Sequence, residues 1–169
     1  MPRTGGIAKA TLLVYLGLTA IAVVSYWLAG MLPLDAIVHA MSSISTGGFA
    51  NSDASFGAYA EQPVILWLGS LFMLSGTLPF VLYIRCLRGA PKALWQDQQV
   101  QGLLWLLIMV IALLTAYRVF HGVPTFEALT QVAFNVISVV TTTGYASDDY
   151  TQWGLSLIHI SEPTRLRRI

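Results

Sequence analysis

Two short segments of this 169-residue chain carry residue types from which an ion site can be built: Ser45-Thr46-Gly47-Gly48-Phe49 and Thr141-Thr142-Thr143-Gly144-Tyr145. Neither holds a carboxylate, an imidazole or a thiol, so the chemistry on offer is ligation by oxygen. A dehydrated cation needs its water shell replaced, and consecutive backbone carbonyls supplemented by threonine hydroxyls can replace it. Aiming successive carbonyls at one point demands backbone angles that cost an ordinary residue about 1–2 kcal/mol in the left-handed region, whereas glycine adopts them freely. One Thr/Gly pentapeptide would be an ordinary turn. Two in register are a different observation.

The register extends well beyond the pentapeptides. His39–Asp53 lies over Asn135–Asp149, so that Gly48 pairs with Gly144 at an offset of 144 − 48 = 96. At the same offset Ser42 pairs with Ser138, Thr46 with Thr142, Phe49 with Tyr145, Ala50 with Ala146 and Asp53 with Asp149. Each pentapeptide follows an apolar stretch, 34–44 and 126–140, too short to cross a bilayer and of re-entrant length. Pro33 and Pro124 stand before these stretches, and Asp35 and Glu127 fall in their first turns, as at helix starts. A half-helix entering from outside aims its partially negative carbonyl end at the membrane midplane, where a cation is stabilised. His39 and Asn135 share a register position and are read as support behind the turns rather than ion ligands.

The elements that must position these turns are membrane spans. The chain is 56% hydrophobic and 10% charged, with a net charge of +1, unlike a soluble domain. Uncharged runs predict spans over about 10–32, 62–85 and 99–120. Arg3 and Lys9 precede the first span and Arg85, Arg88 and Lys92 follow the second, which sets these ends in the cytoplasm. The intervening outer segments are acidic, with Asp35, Asp53, Glu61, Glu127, Asp148 and Asp149, and would concentrate cations. Arg118, near the outer end of the third span, is expected to snorkel to the interface. Ser75-Gly76-Thr77 followed by Pro79 predicts a kink in the second span. The single cysteine, Cys86, allows no intrachain disulfide. No paired carboxylates, metal-ligand spacing or nucleophile and base set lies at membrane depth, which argues against an enzyme. The run Leu155–Arg165, LSLIHISEPTR, resembles the translation of a sequencing-library adapter, so 155–169 is set aside as a non-native tail.

HAMSSISTGGFANSDASFG and FNVISVVTTTGYASDDYTQWG resemble the second and third filter regions of the TrkH, KtrB and HKT superfamily of potassium transporters, closest to the TrkH branch. The likeness covers Leu12 to Gly154. It implies an all-α membrane protein of repeated span, re-entrant pore helix, filter loop and span units, similar to K⁺ channels and here truncated. Residues 1–97 would be a second-type pore unit and 98–154 an incomplete third. By the same likeness Ser45, Thr46, Gly47, Gly48 and Phe49 form one quadrant of a K⁺ selectivity filter, and Thr141, Thr142, Thr143, Gly144 and Tyr145 the next. The carbonyls of Thr46, Gly47, Thr142 and Thr143 would face a common axis, with a rotation of about 90° between quadrants. The resemblance implies a homodimer surrounded by lipid in the bacterial inner membrane, and a cytoplasmic TrkA-like nucleotide-binding regulatory subunit. It implies no cofactor beyond the transported K⁺ and no nucleic acid. Two alternatives stand beside it. One is another secondary transporter with broken helices, which would be expected to carry ionisable residues within its spans. The other is a truncated fragment that conducts nothing alone.

Overall fold

A computed structural model describes residues 4–148, and every regular element among them is helical. Asp149, which closes the second copy of the repeat, and the 155–169 tail lie outside the described residues.

Helix α1, Thr4–Leu28, is apolar on all sides and leaves Leu12, Leu16, Ile21 and Trp27 exposed. A helix uniformly apolar yet mostly unburied has lipid as its solvent. Helix α6, Gln98–Phe120, has the same character over 23 residues, and the Asp97 side chain caps it by accepting from the amides of Gln99 and Val100 at 2.9 and 3.2 Å. Both are long and apolar enough to cross a bilayer. This is a membrane-integral protein.

The middle span, expected over about 62–85 with a kink near Pro79, is broken there outright. It is two helices, α3 (Pro63–Thr77) and α4 (Phe80–Leu87), bent by 91° at the break. Pro79 supplies no amide, and its ring drives the preceding Leu78 to extended angles, φ −70° and ψ 145°. The freed carbonyls find other partners. The Tyr83 hydroxyl donates to the Ser75 carbonyl at 2.8 Å, while Ser75 Oγ and Thr77 Oγ1 turn back to the Phe72 and Met73 carbonyls. With 15 residues, α3 alone rises about 22 Å, short of the roughly 30 Å hydrocarbon core.

Two shorter helices complete the frame. Helix α2, Pro33–Ile44, packs on α1 and α3, and α7, Thr125–Val140, packs on α6 and α3. Helix α3 is therefore the shared wall between the two copies. A short helix α5, Lys92–Gln96, links α4 to α6, and a 3₁₀ turn, Ser55–Tyr59, carries the chain from the first loop to α3. Its Phe56 is fully buried and sits 4.6 Å from Tyr145, 4.9 Å from Phe134 and 4.9 Å from His39, ring centre to ring centre. Such pairs contribute about 0.5–1.5 kcal/mol each beyond area burial. Lipid tails are as apolar as a leucine core, so close packing of this kind holds the two copies together where water cannot drive them.

Candidate functional site

Both short helices end in the same backbone motif. After α2 the amide of Thr46 bonds the Ser43 carbonyl at 3.3 Å and that of Gly47 bonds the Ser42 carbonyl at 2.8 Å. After α7 the amide of Thr142 bonds Val139 at 3.1 Å and that of Thr143 bonds Ser138 at 2.9 Å. This is the crossed pair of bonds of a Schellman turn, which needs one residue in the left-handed region. Thr46 (φ 51°) and Thr142 (φ 59°) occupy it, 96 residues apart. Two residues on, Gly48 (φ 70°) and Gly144 (φ 83°) return to positive φ, again 96 apart. The sequence reading anticipates the positive φ of the glycines but not that of the threonines.

Each loop is tied to its helix by the paired serine, with opposite polarity. The Phe49 amide donates to Ser42 Oγ at 2.6 Å, whereas Ser138 Oγ donates to the Tyr145 carbonyl at 2.7 Å. The loops also meet each other. The Tyr145 hydroxyl donates to the Phe49 carbonyl at 3.0 Å, and the Gly48 Cα lies against the Thr143 carbonyl so closely that a β-carbon there would overlap it. Thr141 and Thr143 share a hydroxyl hydrogen bond of 2.8 Å, and both are buried, as is Tyr145. Phe49, its register partner, is 75% exposed. Ser45, Gly47, Thr142 and Gly144 are exposed.

Among the described residues, no group donates a hydrogen bond to the carbonyls of Thr46, Gly47, Gly48, Thr142, Thr143 or Gly144. Backbone acceptors at membrane depth that lack a protein donor must meet water or a cation. Six of them in two adjoining loops make an oxygen-rich edge.

The support behind the loops differs between copies. Asn135 donates to Ser147 Oγ at 2.9 Å and to the Gln131 carbonyl, and its Oδ1 accepts from the Ser147 amide at 3.2 Å. His39, in the matching position, bonds the Asp35 carbonyl at 2.8 Å, and its buried Nε2 has no hydrogen-bond partner among the described residues. It acts through ring contacts with Phe56, Tyr59 and Tyr145. In the first copy the tie passes instead through Asp35, which accepts from Asn51 Nδ2 at 2.8 Å and the Tyr59 hydroxyl at 2.9 Å. Arg118 does not simply snorkel. Its guanidinium donates to Gln131 Oε1 at 2.9 Å and lies 3.6 Å from the Asp148 carboxylate, which anchors the second loop to α6. Two of the outer acids, Asp35 and Asp148, are thus structural.

The donors from Asn51 and Tyr59, helped by the field of His39, hold the Asp35 carboxyl below the usual carboxylate range. Burial and the same carboxylate push the Tyr59 phenol up to about 12. For Asp35 the folded state has the lower pKa, so its contribution is complete above the ordinary value of about 3.9 and disappears as pH falls through the lower folded value. The stability difference between the intact parent protein and its Asp35→Asn variant is expected to stay flat above about pH 5 and to close on acidification. Thermal melts across that range test it, and a difference independent of pH would remove Asp35 from the account.

Comparison with known proteins follows the same lines. Residues 1–160 match the TrkH family model, described as cation transport protein. The chain is 71% identical over 154 residues to the Trk system potassium uptake protein TrkI of Halomonas elongata, covering 91% of this chain and 31% of that protein. It is 32% identical over 161 residues to the potassium uptake protein TrkH of Vibrio parahaemolyticus, with coverages of 92% and 33%. The crystal structure of the Vibrio parahaemolyticus potassium transporter TrkH superposes with a TM-score of 0.86 at 31% identity, over 95% of this chain and 35% of that one. The chain spans about a third of the length of the curated relatives it matches.

Proposed function

We infer a function from one premise: the chain belongs to the TrkH family of cation transport proteins. It is part of a pore-forming subunit that moves K⁺ across the bacterial inner membrane. The two Thr/Gly loops contribute neighbouring quadrants of its selectivity filter, Ser45 to Phe49 in one and Thr141 to Tyr145 in the other. Residues 1–97 and 98–154 supply one pore unit and most of a second. The observation that carries this reading is the pair of loops with matched positive-φ positions whose six carbonyls take no donor among the described residues. Carbonyls so placed can exchange for the hydration shell of K⁺, and the carbonyl ends of α2 and α7 add a field of the favourable sign.

The subunit performs no covalent chemistry. In its full length it works as a homodimer with a cytoplasmic nucleotide-binding subunit of the TrkA kind. The broken helix at Pro79 would also suit a secondary transporter with a midplane substrate site, but among the described residues the spanning helices carry charged side chains only near their ends, Lys9 in α1 and Arg118 in α6.

Growth of a K⁺-uptake-deficient bacterial strain at low K⁺ tests the proposal. The intact parent protein is expected to restore growth, and the 169-residue chain alone is expected not to, because two quadrants cannot ring an ion. Rescue by the chain alone would show that separate copies complete a filter. Failure of the intact parent, when correctly inserted, would overturn the K⁺ assignment.

A further inference from the structure

The bend at Pro79 has a consequence on the side of the membrane away from the loops. Helix α4 leaves α3 at 91°, so it does not continue along the spanning direction. It buries Leu82 and Ile84 and exposes Val81, Arg85 and Leu87, and Arg88, which caps its C-terminal end, is exposed as well. Arg85 and Arg88 are three residues apart and lie on one side of it. A turn at Gly89 (φ 92°) brings the chain to Lys92, at the first position of α5, and to Trp95, which is 67% exposed. Between Glu61 and Asp97 the sequence has no acidic residue. Arg85, Arg88 and Lys92 form no ion pair with any described residue.

We propose that the α4–α5 elbow, Phe80–Gln96, is a binding surface for anionic phospholipid of the cytoplasmic leaflet. Arg85, Arg88 and Lys92 would contact headgroups, with Leu87 and Trp95 seated at the acyl boundary. Charge complementarity selects this occupant: three cations without a counter-charge, on an amphipathic element turned off the span, meet phosphate at the depth where a tryptophan prefers to sit. The inference rests on the membrane reading of α1, α3 and α6 and on the orientation set by the basic residues, not on the filter. It also gives the elbow a role in the fold, since a headgroup clamp would hold α4 in the interface plane.

Cys86 lies between the two helical contributors and offers a site-specific probe. The intact parent protein, with Cys86 as its sole cysteine, is labelled there with a small fluorophore and placed in bilayers of phosphatidylcholine containing a minor fraction of either brominated phosphatidylcholine or brominated phosphatidylglycerol. The expected result is several-fold stronger quenching by the brominated phosphatidylglycerol. Each of Arg85→Gln, Arg88→Gln and Lys92→Gln should lower that preference by about five-fold at most, and the triple variant should abolish it. A Lys9→Gln control should leave it unchanged. Equal quenching by the two lipids in the unmodified protein would overturn the lipid assignment while leaving the membrane reading intact. Quenching by neither would overturn the surface placement of α4 itself. Equal quenching accompanied by loss of a co-purifying cytoplasmic protein from the triple variant would overturn the proposal in favour of a protein partner.

Discussion

Replacing either Gly48 or Gly144 of the proposed filter by alanine in the intact parent protein is expected to reduce the preference for K⁺ over Na⁺ by about ten-fold or more, with the protein still inserted and of normal abundance. Both positions carry positive φ, 70° at Gly48 and 83° at Gly144, which costs an alanine about 1–2 kcal/mol, worth roughly five- to thirty-fold in the population of the native loop. Gly48 bears a second cost. A β-carbon there is driven into the Thr143 carbonyl oxygen of the other loop, a backbone atom that cannot rotate aside. That carbonyl is one of the six without a donor, so the substitution displaces a proposed ion ligand directly. A β-carbon added at Gly144 would meet nothing within 4 Å among the described residues. If the loops are consecutive quadrants of a ring, the following quadrant should meet Gly144 in the parent as Thr143 meets Gly48 here. Comparable damage from Gly48→Ala and Gly144→Ala is therefore expected. The test is the ratio of K⁺ to Na⁺ uptake in cells, or of conductances in bilayers. Full selectivity in Gly48→Ala would sink the filter assignment, and a damaged Gly48→Ala beside an intact Gly144→Ala would sink the ring.

How far the sequence foretells this site depends on which constraint the residues obey. The glycines were legible because a repeated Thr/Gly turn at a fixed offset carries its own explanation, and the helix starts at Pro33 and after Pro124 because proline fixes φ and needs no donor. The left-handed angles of Thr46 and Thr142 were not legible. A β-branched residue is a poor choice for positive φ, and nothing in its identity announces that a Schellman turn will place it there. Phe56 was invisible for another reason: it stands outside the repeat, since the residue at 56 + 96 = 152 is Gln152, and so no register argument could single it out. The Arg118 contacts with Gln131 and Asp148 join α6 to α7 and its loop, and a charge near a span end reads equally well as a snorkelling side chain until the fold brings the loop to it. Within the uncharged run 62–84, Pro79 showed where a kink would fall but not that it would turn through 91°, because length and hydropathy do not register direction.

Gly76 shows the same limit and yields the largest expected loss of stability. Within Ser75-Gly76-Thr77 it reads as part of the kink, yet the break lies beyond it, at Leu78 and Pro79, and Gly76 is the point where α3 passes the end of α2. A β-carbon on Gly76 would overlap the Ile44 carbonyl oxygen and approach the Ile44 C and Cα at 2.9 and 3.1 Å. All three are backbone atoms of the last residue of α2, just before the first Thr/Gly turn, so relief requires α3 to move away from α2. Overpacking of a core generally costs about 1–3 kcal/mol, and a contact with no rotatable side chain to absorb it belongs at or beyond the upper end. Ile44 leads directly into Ser45 and Thr46, so the displacement should reach the loop as well. Gly76→Ala in the intact parent is expected to lower the melting temperature in detergent and to weaken K⁺ uptake, with Gly76→Val worse on both counts. Gly102→Ala is the control, because Gly102 lies in α6 with nothing within 4 Å of an added β-carbon and alanine favours the helix there. A Gly76→Ala protein as stable as the Gly102→Ala control would mean that α3 and α2 do not meet at Gly76, and the shared wall between the two Thr/Gly loops would have to be sought elsewhere.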